Sequence, residues 1–327
     1  MDKLTETLPP LPALVRVCDA TGVSKLSLWL DGRLHDLTQL PHPAGRTLDG
    51  LLSLRREDAR ALLEDPANTQ LPVLDPNEWE LSAPVESQEV WASGVTYRQS
   101  REARIEESIA KDVYALVYEA PRPELFFKAA GWRVIPHGGK VGVRSDSEWD
   151  VPEPELAVLS NAHGEVIAYS CGNDMSSRSI EGLNPLYLPQ AKVYDDSCSI
   201  GPAAVLAWHA DPSRAEIRMT IEREGTEVFS GSAKVADMVR EPAQLVGVLY
   251  GAYTLPAGAW LLTGTSIVPP AECSVLPGDV VRITIEDIGQ LRNEVKRVTH
   301  SGAQALPKVD EHSVDLTTGE PARKESG

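Results

Sequence analysis

Only four cysteines occur in 327 residues, at Cys18, Cys171, Cys198 and Cys273. No two of them form a CxxC pair, which excludes a zinc ribbon or a dithiol redox motif. They read as free, mostly buried thiols in a reducing cytoplasm. Basic charge is scarce as well: 31 Lys and Arg face 48 Asp and Glu, a formal net charge of −17. The chain has no Lys/Arg run and no aromatic residues interleaved with basic ones. A nucleic-acid backbone or an anionic membrane surface is therefore disfavoured as a partner. No apolar stretch reaches membrane-spanning length. The opening MDKLTETLPP lacks the apolar centre of a signal peptide. No internal repeat is visible. These absences predict a soluble cytoplasmic protein that binds neither nucleic acid nor membrane.

What is present is enough apolar residue, 42 %, for a sizeable core. VRVCDA and KLSLWLDGRLHDL alternate in places, and Asp31-Gly32 reads as a hairpin turn. TLDGLLSLRREDARALLED predicts one or two short helices. A Pro/Asn-rich passage, LPVLDPNEWELSAP, places a boundary near residue 85, between a small N-terminal domain (1–85) and the rest. Ile105, Ile109, Val113, Leu116, Val117 and Ala120 recur at helical spacing up to Pro121. From 125 onward strand signals dominate. EIRMTIER and DVVRITIEDIG alternate strictly, and Pro277-Gly278-Asp279 turns the chain into the second of them. HGGK is a turn without phosphate-loop spacing. Trp132 and Phe127 are assigned to the core, and His42, His137 and His209 are too scattered to act as ligands together. The main domain (86–309) is expected to be mostly β with helices outside, followed by a polar tail (310–327). The fold class is α+β, predominantly β.

The stretch VPEPELAVL carries two glutamates, Glu153 and Glu155, at the head of an apolar run. Residues i and i+2 of a strand share a face. Two such carboxylates repel unless a cation lies between them. Taken alone, the pair reads first as a solvated strand edge. A third acid shifts the balance. Val166–Ser170 reads as a strand, Asp174 follows in a Gly/Asn/Ser-rich turn, and a hairpin through Asn161–Gly164 returns Asp174 toward the glutamates. Three carboxylates from adjacent strand ends suit a hard cation with oxygen ligands, and Mg2+ would keep positions open for substrate.

Five ordered segments then resemble the fumarylacetoacetate hydrolase superfamily between about Trp91 and Val295: PEPELAV, AYSCGNDMSSRS, QAKVYDDSCSIGP, LLTGTS and PGDVVRITIEDIGQLRNEV. The resemblance implies a mixed β-sandwich roll or barrel, usually a homodimer or dimer-based oligomer, with a small N-terminal α/β domain. It implies metal ligands at Glu153, Glu155 and Asp174, for Mg2+ with Mn2+ or Ca2+ as substitutes. It implies an active-site lysine at Lys192, a threonine gripping the substrate carboxylate at Thr265, and an arginine at Arg178 supporting the substrate side. Three carboxylates, one divalent ion and a 2-oxo acid leave two negative charges, so a nearby cation such as Lys192 is needed, and it can also donate a proton.

The pattern breaks at the lid. Hydrolase members carry Gly-x-Asn-Tyr followed by a His and a Glu that activate water; here the chain reads SGVTYRQSREAR. Thr96 replaces the Asn, Ser100 the His and Ala103 the Glu, and neither of the last two can act as a base. The central spacings instead resemble the branch of 2-keto-3-deoxy sugar acid dehydratases, as does EGLNPLYLPQAK. That branch places an acid/base glutamate at Glu124 in RPELFFKAA. The expected reaction is dehydration of a 2-keto-3-deoxypentonate to 2-oxoglutarate semialdehyde through a metal-stabilised enolate, with Glu124 and Lys192 sharing proton transfer. Two other readings stay open. One is a C–C hydrolase of acylpyruvate type, with Glu102 or Glu106 positioning water. The other is a non-catalytic 2-oxo acid binding protein.

Overall fold

The computed structural model describes residues 7–94, 96–97 and 120–299. The helix expected from Ile105 falls outside the described residues up to its end at Ala120. Ser100, Glu102, Ala103, Glu106 and the tail 310–327 also lie outside them.

The strands run in chain order β1 (Ala13–Cys18), β2 (Ser24–Leu30), β3 (Arg33–Asp36), β4 (Glu80–Ser82), β5 (Glu89–Ala92), β6 (Phe126–Ala129), β7 (Lys140–Val143), β8 (Asp150–Val151), β9 (Pro154–Ser160), β10 (Val166–Asp174), β11 (Ser176–Ser177), β12 (Cys198–Leu206), β13 (Glu216–Arg223), β14 (Thr226–Lys234), β15 (Ala259–Leu262), β16 (Val280–Ile285) and β17 (Gly289–Arg297). A ten-stranded mixed sheet has the order β3-β2-β1-β12-β10-β9-β15-β5-β6, with β4 also paired to β1. A five-stranded sheet has the order β14-β13-β16-β17-β7. Strands on both sides of residue 85 share the large sheet, where Ala13 pairs with Val205. The fold is mostly β with mixed sheets, as expected.

Side-chain alternation explains the layers. Leu156 and Val158 of β9 face one core, where they meet Ile217, Met219 and Ile221 of β13 and Ile283 of β16. Ala157 and Leu159 face a second core on the other side of the sheet. There they meet α1 (Leu48–Leu52) and α2 (Arg56–Leu63) through Leu48, Leu51, Leu52, Ala59 and Leu63. A strand buried on both faces carries a continuous apolar run, which is why LAVL is unbroken. β13 has only one buried face, and its sequence alternates accordingly.

The expected turns form. Asp31 (φ 50°) and Gly32 (φ 75°) both adopt left-handed backbone between β2 and β3, the requirement of a two-residue type I′ hairpin. Gly278 (φ 98°) turns the chain into β16. Three expectations fail. Asp174 does not sit in a turn: β10 continues through it, paired to Cys198 of β12. Gly172 permits this, since a Cβ there would come within 2.4 Å of Leu262. Trp132 is 78 % exposed and stacks on Arg133, because it lies in a short 3-10 turn after the edge strand β6 and not in a strand. Phe127 is also exposed, on the outer face of β6 against Trp91. Of the free cysteines, Cys171 and Cys198 are buried while Cys18 and Cys273 are half-buried.

Candidate active site

The β9–β10 hairpin assembles the acids. Glu153 immediately precedes β9, Glu155 is its second residue and Asp174 ends β10. Glu155 pairs with Gly172 across the ladder, and the Asp174 amide donates to the Glu153 carbonyl at 3.0 Å. One oxygen from each carboxylate lies within 4.8 Å of the others. Exposures are 3 % for Glu153, 1 % for Glu155 and 1 % for Asp174, so the solvated-edge reading is excluded. The Gly264 amide donates to Glu155 Oε2 at 2.6 Å. Burial, then repulsion from Asp174 and Glu153, holds Glu155 well above the usual carboxylate range, against the pull of Lys192 and that amide.

Buried carboxylates need cations, and three separate elements supply them. Lys192 ends α4 (Leu188–Lys192). Its Nζ lies 2.6 Å from Glu153 Oε2, 3.0 Å from Asp174 Oδ2 and 2.6 Å from Ser176 Oγ. Arg178 opens α3 (Arg178–Leu183), which Ser177 caps by accepting from the Ile180 amide. Its Nη2 lies 2.8 Å from Glu153 Oε1, and its Nη1 lies 3.3 Å from Glu181 Oε2. Lys128, in β6, ion-pairs with Asp174 Oδ1 and donates to the carbonyls of Met175 and Lys192. Its side chain is fully buried.

Reading the sequence missed Lys128 and Glu181. The one signal for Lys128 was a solitary cation inside the apolar ELFFKAA. The charge count changes with them. Glu153, Glu155, Asp174 and Glu181 face Lys128, Arg178 and Lys192, leaving one net negative charge among the buried groups. A divalent ion and one substrate carboxylate would bring that set to neutrality. The donors are hard oxygens, close together and screened from water, and they fit Mg2+.

The pocket over these groups is also lined by Ser93, Gly94, Glu124, Phe126, Leu188, Gly264 and Thr265. Glu124 is half-buried and packs on Gly94, where a Cβ would come within 2.0 Å of its carboxylate. Thr265 is 6 % exposed, and its Oγ1 accepts from the Ile267 amide at 3.1 Å, leaving the hydroxyl proton to be donated elsewhere. All seven residues singled out in the sequence therefore line one pocket. Thr96 does not line it. Its hydroxyl donates to the Thr263 carbonyl at 2.6 Å and fixes the loop that carries Gly264. Gly264 itself has φ 91°, and a Cβ there would strike Thr96 Oγ1.

Residues 89–296 match the family described as fumarylacetoacetate (FAA) hydrolase C-terminal. A probable 2-keto-3-deoxyxylonate dehydratase of Haloferax volcanii is 51 % identical over 218 residues, 66 % of this chain and 75 % of that one. A 2-dehydro-3-deoxy-D-arabinonate dehydratase of Saccharolobus solfataricus is 41 % identical over 226 residues, 68 % of this chain and 76 % of that one. The solved structure of a 2-keto-3-deoxy-D-arabinonate dehydratase complexed with magnesium and 2,5-dioxopentanoate superposes with a TM-score of 0.75. It is 32 % identical and covers 88 % of this chain and 99 % of that one.

Proposed function

The chain belongs to the fumarylacetoacetate hydrolase family, and from that premise we propose that it is a Mg2+-dependent dehydratase of a 2-keto-3-deoxypentonate. The observation that carries the reading is the buried trio Glu153, Glu155 and Asp174 beside Lys192, in a chain similar to named dehydratases of such acids. The reaction removes a proton from C3 and the hydroxyl from C4 as water. The resulting 5-hydroxy-2-oxo-3-enoate then isomerises to 2,5-dioxopentanoate, so atoms balance with no oxidant or reductant.

Glu153, Glu155 and Asp174 would hold the ion. Mg2+ bound there supplies Lewis acidity, which stabilises negative charge developing on the substrate's 2-oxo oxygen. Glu124, the half-buried carboxylate of the pocket, exchanges protons at C3 and at the leaving C4 hydroxyl together with Lys192. Arg178 and Ser176 hold Glu153 and Lys192 in place. Thr265 donates its hydroxyl to the substrate carboxylate. The buried set excludes water from the anion formed at C3, which protects it from premature quenching.

Among the described residues no helix is long and apolar enough to cross a membrane. We place the protein in the cytoplasm as a homodimer or dimer-based oligomer, to be checked by fractionation and by sedimentation. The activity is tested by supplying 2-keto-3-deoxypentonates and acylpyruvates in turn with Mg2+. Appearance of 2,5-dioxopentanoate supports dehydration. Cleavage of acylpyruvate to pyruvate without any dehydration rejects it in favour of C–C hydrolysis.

A further inference from the structure

Outside the pocket just described, a cleft of ≈ 860 Å³ opens between β4, the loop 136–139 and the β16–β17 pair. That volume lies in the range of small-molecule sites. Two arginines form one wall. Arg282 and Arg292 are direct partners in the β16–β17 register, so their side chains lie next to each other on one face. Like charges directly opposite in a sheet repel. Arg282 meets Glu222 directly, through two bonds of 3.1 and 3.2 Å. Among the described residues Arg292 has no ion-pair partner. In a chain of net charge −17 this wall stands out, since among the described residues lining the cleft two arginines face one acid, Glu80.

The walls are fixed before any ligand arrives. The Gly138 amide donates to the Arg292 carbonyl at 2.8 Å. The buried Asn293 amide donates to the carbonyls of Pro136 and Gly139, which pins the loop to β17. His137 Nδ1 bonds the Gln290 carbonyl at 3.0 Å. Burial and the charges of Arg292 and Arg282 hold this imidazole below its usual range, in keeping with a positive field across the cleft. The half-buried Trp79, with Lys25 Nζ 5.1 Å from its ring, also lines the cleft.

We propose that this cleft is a binding site for a small molecule bearing a carboxylate or phosphate group, gripped by the Arg292 fork with Arg282 beside it and Trp79 in the same lining. A guanidinium fork matches both oxyanions in two-point geometry, and pinned walls reduce the ordering cost of binding.

The test is calorimetric titration of the full-length, Mg2+-free protein with inorganic phosphate and, separately, malonate. The expected result is saturable binding of at least one anion, unchanged in Glu155→Gln, where the other pocket is altered. In Arg292→Gln it weakens by roughly tenfold or more, and Arg292→Lys falls between the two. Tighter binding of phosphate or of malonate tells which oxyanion the cleft serves. Absence of saturable binding for both anions, equal affinity in Arg292→Gln, or loss in Glu155→Gln overturns the assignment. The readout is binding, so it stands or falls separately from the dehydratase reaction.

Discussion

The two ends of the β9–β10 hairpin solve the same problem in opposite ways. At the turn end, buried polar groups are satisfied without buried ion pairs, though Asn161 Nδ2 also donates to the Glu165 carboxylate at 2.7 Å. Asn161 Oδ1 accepts from the amides of His163 and Glu165, its Nδ2 donates to the Leu54 carbonyl, and Tyr250 donates to the Asn161 carbonyl at 2.6 Å. At the other end three carboxylates are held by Lys128, Arg178 and Lys192, brought from β6, α3 and α4. The turn end joins the local His163 and Glu165 to the distant Leu54 and Tyr250. The acidic end is built from distant segments and is charged. A cluster free of buried ion pairs would be the cheaper way to end a strand pair. The charged end therefore marks a place where chemistry, and not stability, has selected the residues.

Neutralising the acidic end should abolish activity. Asp174→Asn or Glu155→Gln is expected to lower turnover by roughly 10³-fold or more while circular dichroism stays native. Retained turnover would make the two ends equivalent. Lys128→Met removes one of the two buried lysines that pair with Asp174, and truncating one partner of a buried pair costs about 3–5 kcal/mol. Urea unfolding should show a loss of that order. If stability is unchanged, Lys128 does not compensate Asp174.

Asp150, in the short β8, sharpens the contrast because it is buried without a dedicated cation. Its Oδ1 has no hydrogen-bond partner, and burial pushes its pKa up to about 7 from 3.8. Between those values the native chain keeps a proton that the unfolded chain releases, so stability falls as pH rises from about 4 to about 7. Asp150→Asn should therefore be more stable than the wild type by about 2–4 kcal/mol at pH 8, with the difference closing toward pH 4. A pH-independent difference would contradict this. The smallest effect is expected at the turn: Asn161→Ala should cost about 1–3 kcal/mol in stability with kcat unchanged in the folded fraction. A matching fall in kcat would couple the two ends.

Features governed by local chemistry were legible in the sequence. Asp31-Gly32 announces its turn because few other residues tolerate left-handed backbone there, and the alternation of EIRMTIER follows from one buried face. The Glu153/Glu155 pair was legible because charges at the head of a core strand demand compensation. Lys128 was not: its partners are 46, 47 and 64 residues away in sequence, and no local spacing encodes that contact. Glu181 was hidden for the same reason, since an Arg–Glu pair three apart on a helix reads as ordinary surface charge. Trp132 was misassigned because hydrophobicity says nothing about position relative to a sheet edge. Asp174 was placed in a turn because Gly and Asn usually end strands, whereas here Gly172 lets Leu262 pack directly on the backbone.

The most direct measurement is a crystal structure of the full chain soaked with Mg2+ and pyruvate. One ion bonded to oxygens of Glu153, Glu155 and Asp174, with the keto acid reaching it beside Glu124 and Thr265, is the predicted result. An ion bound elsewhere, or those three carboxylates engaged only by lysine and arginine at saturating Mg2+, would contradict the account.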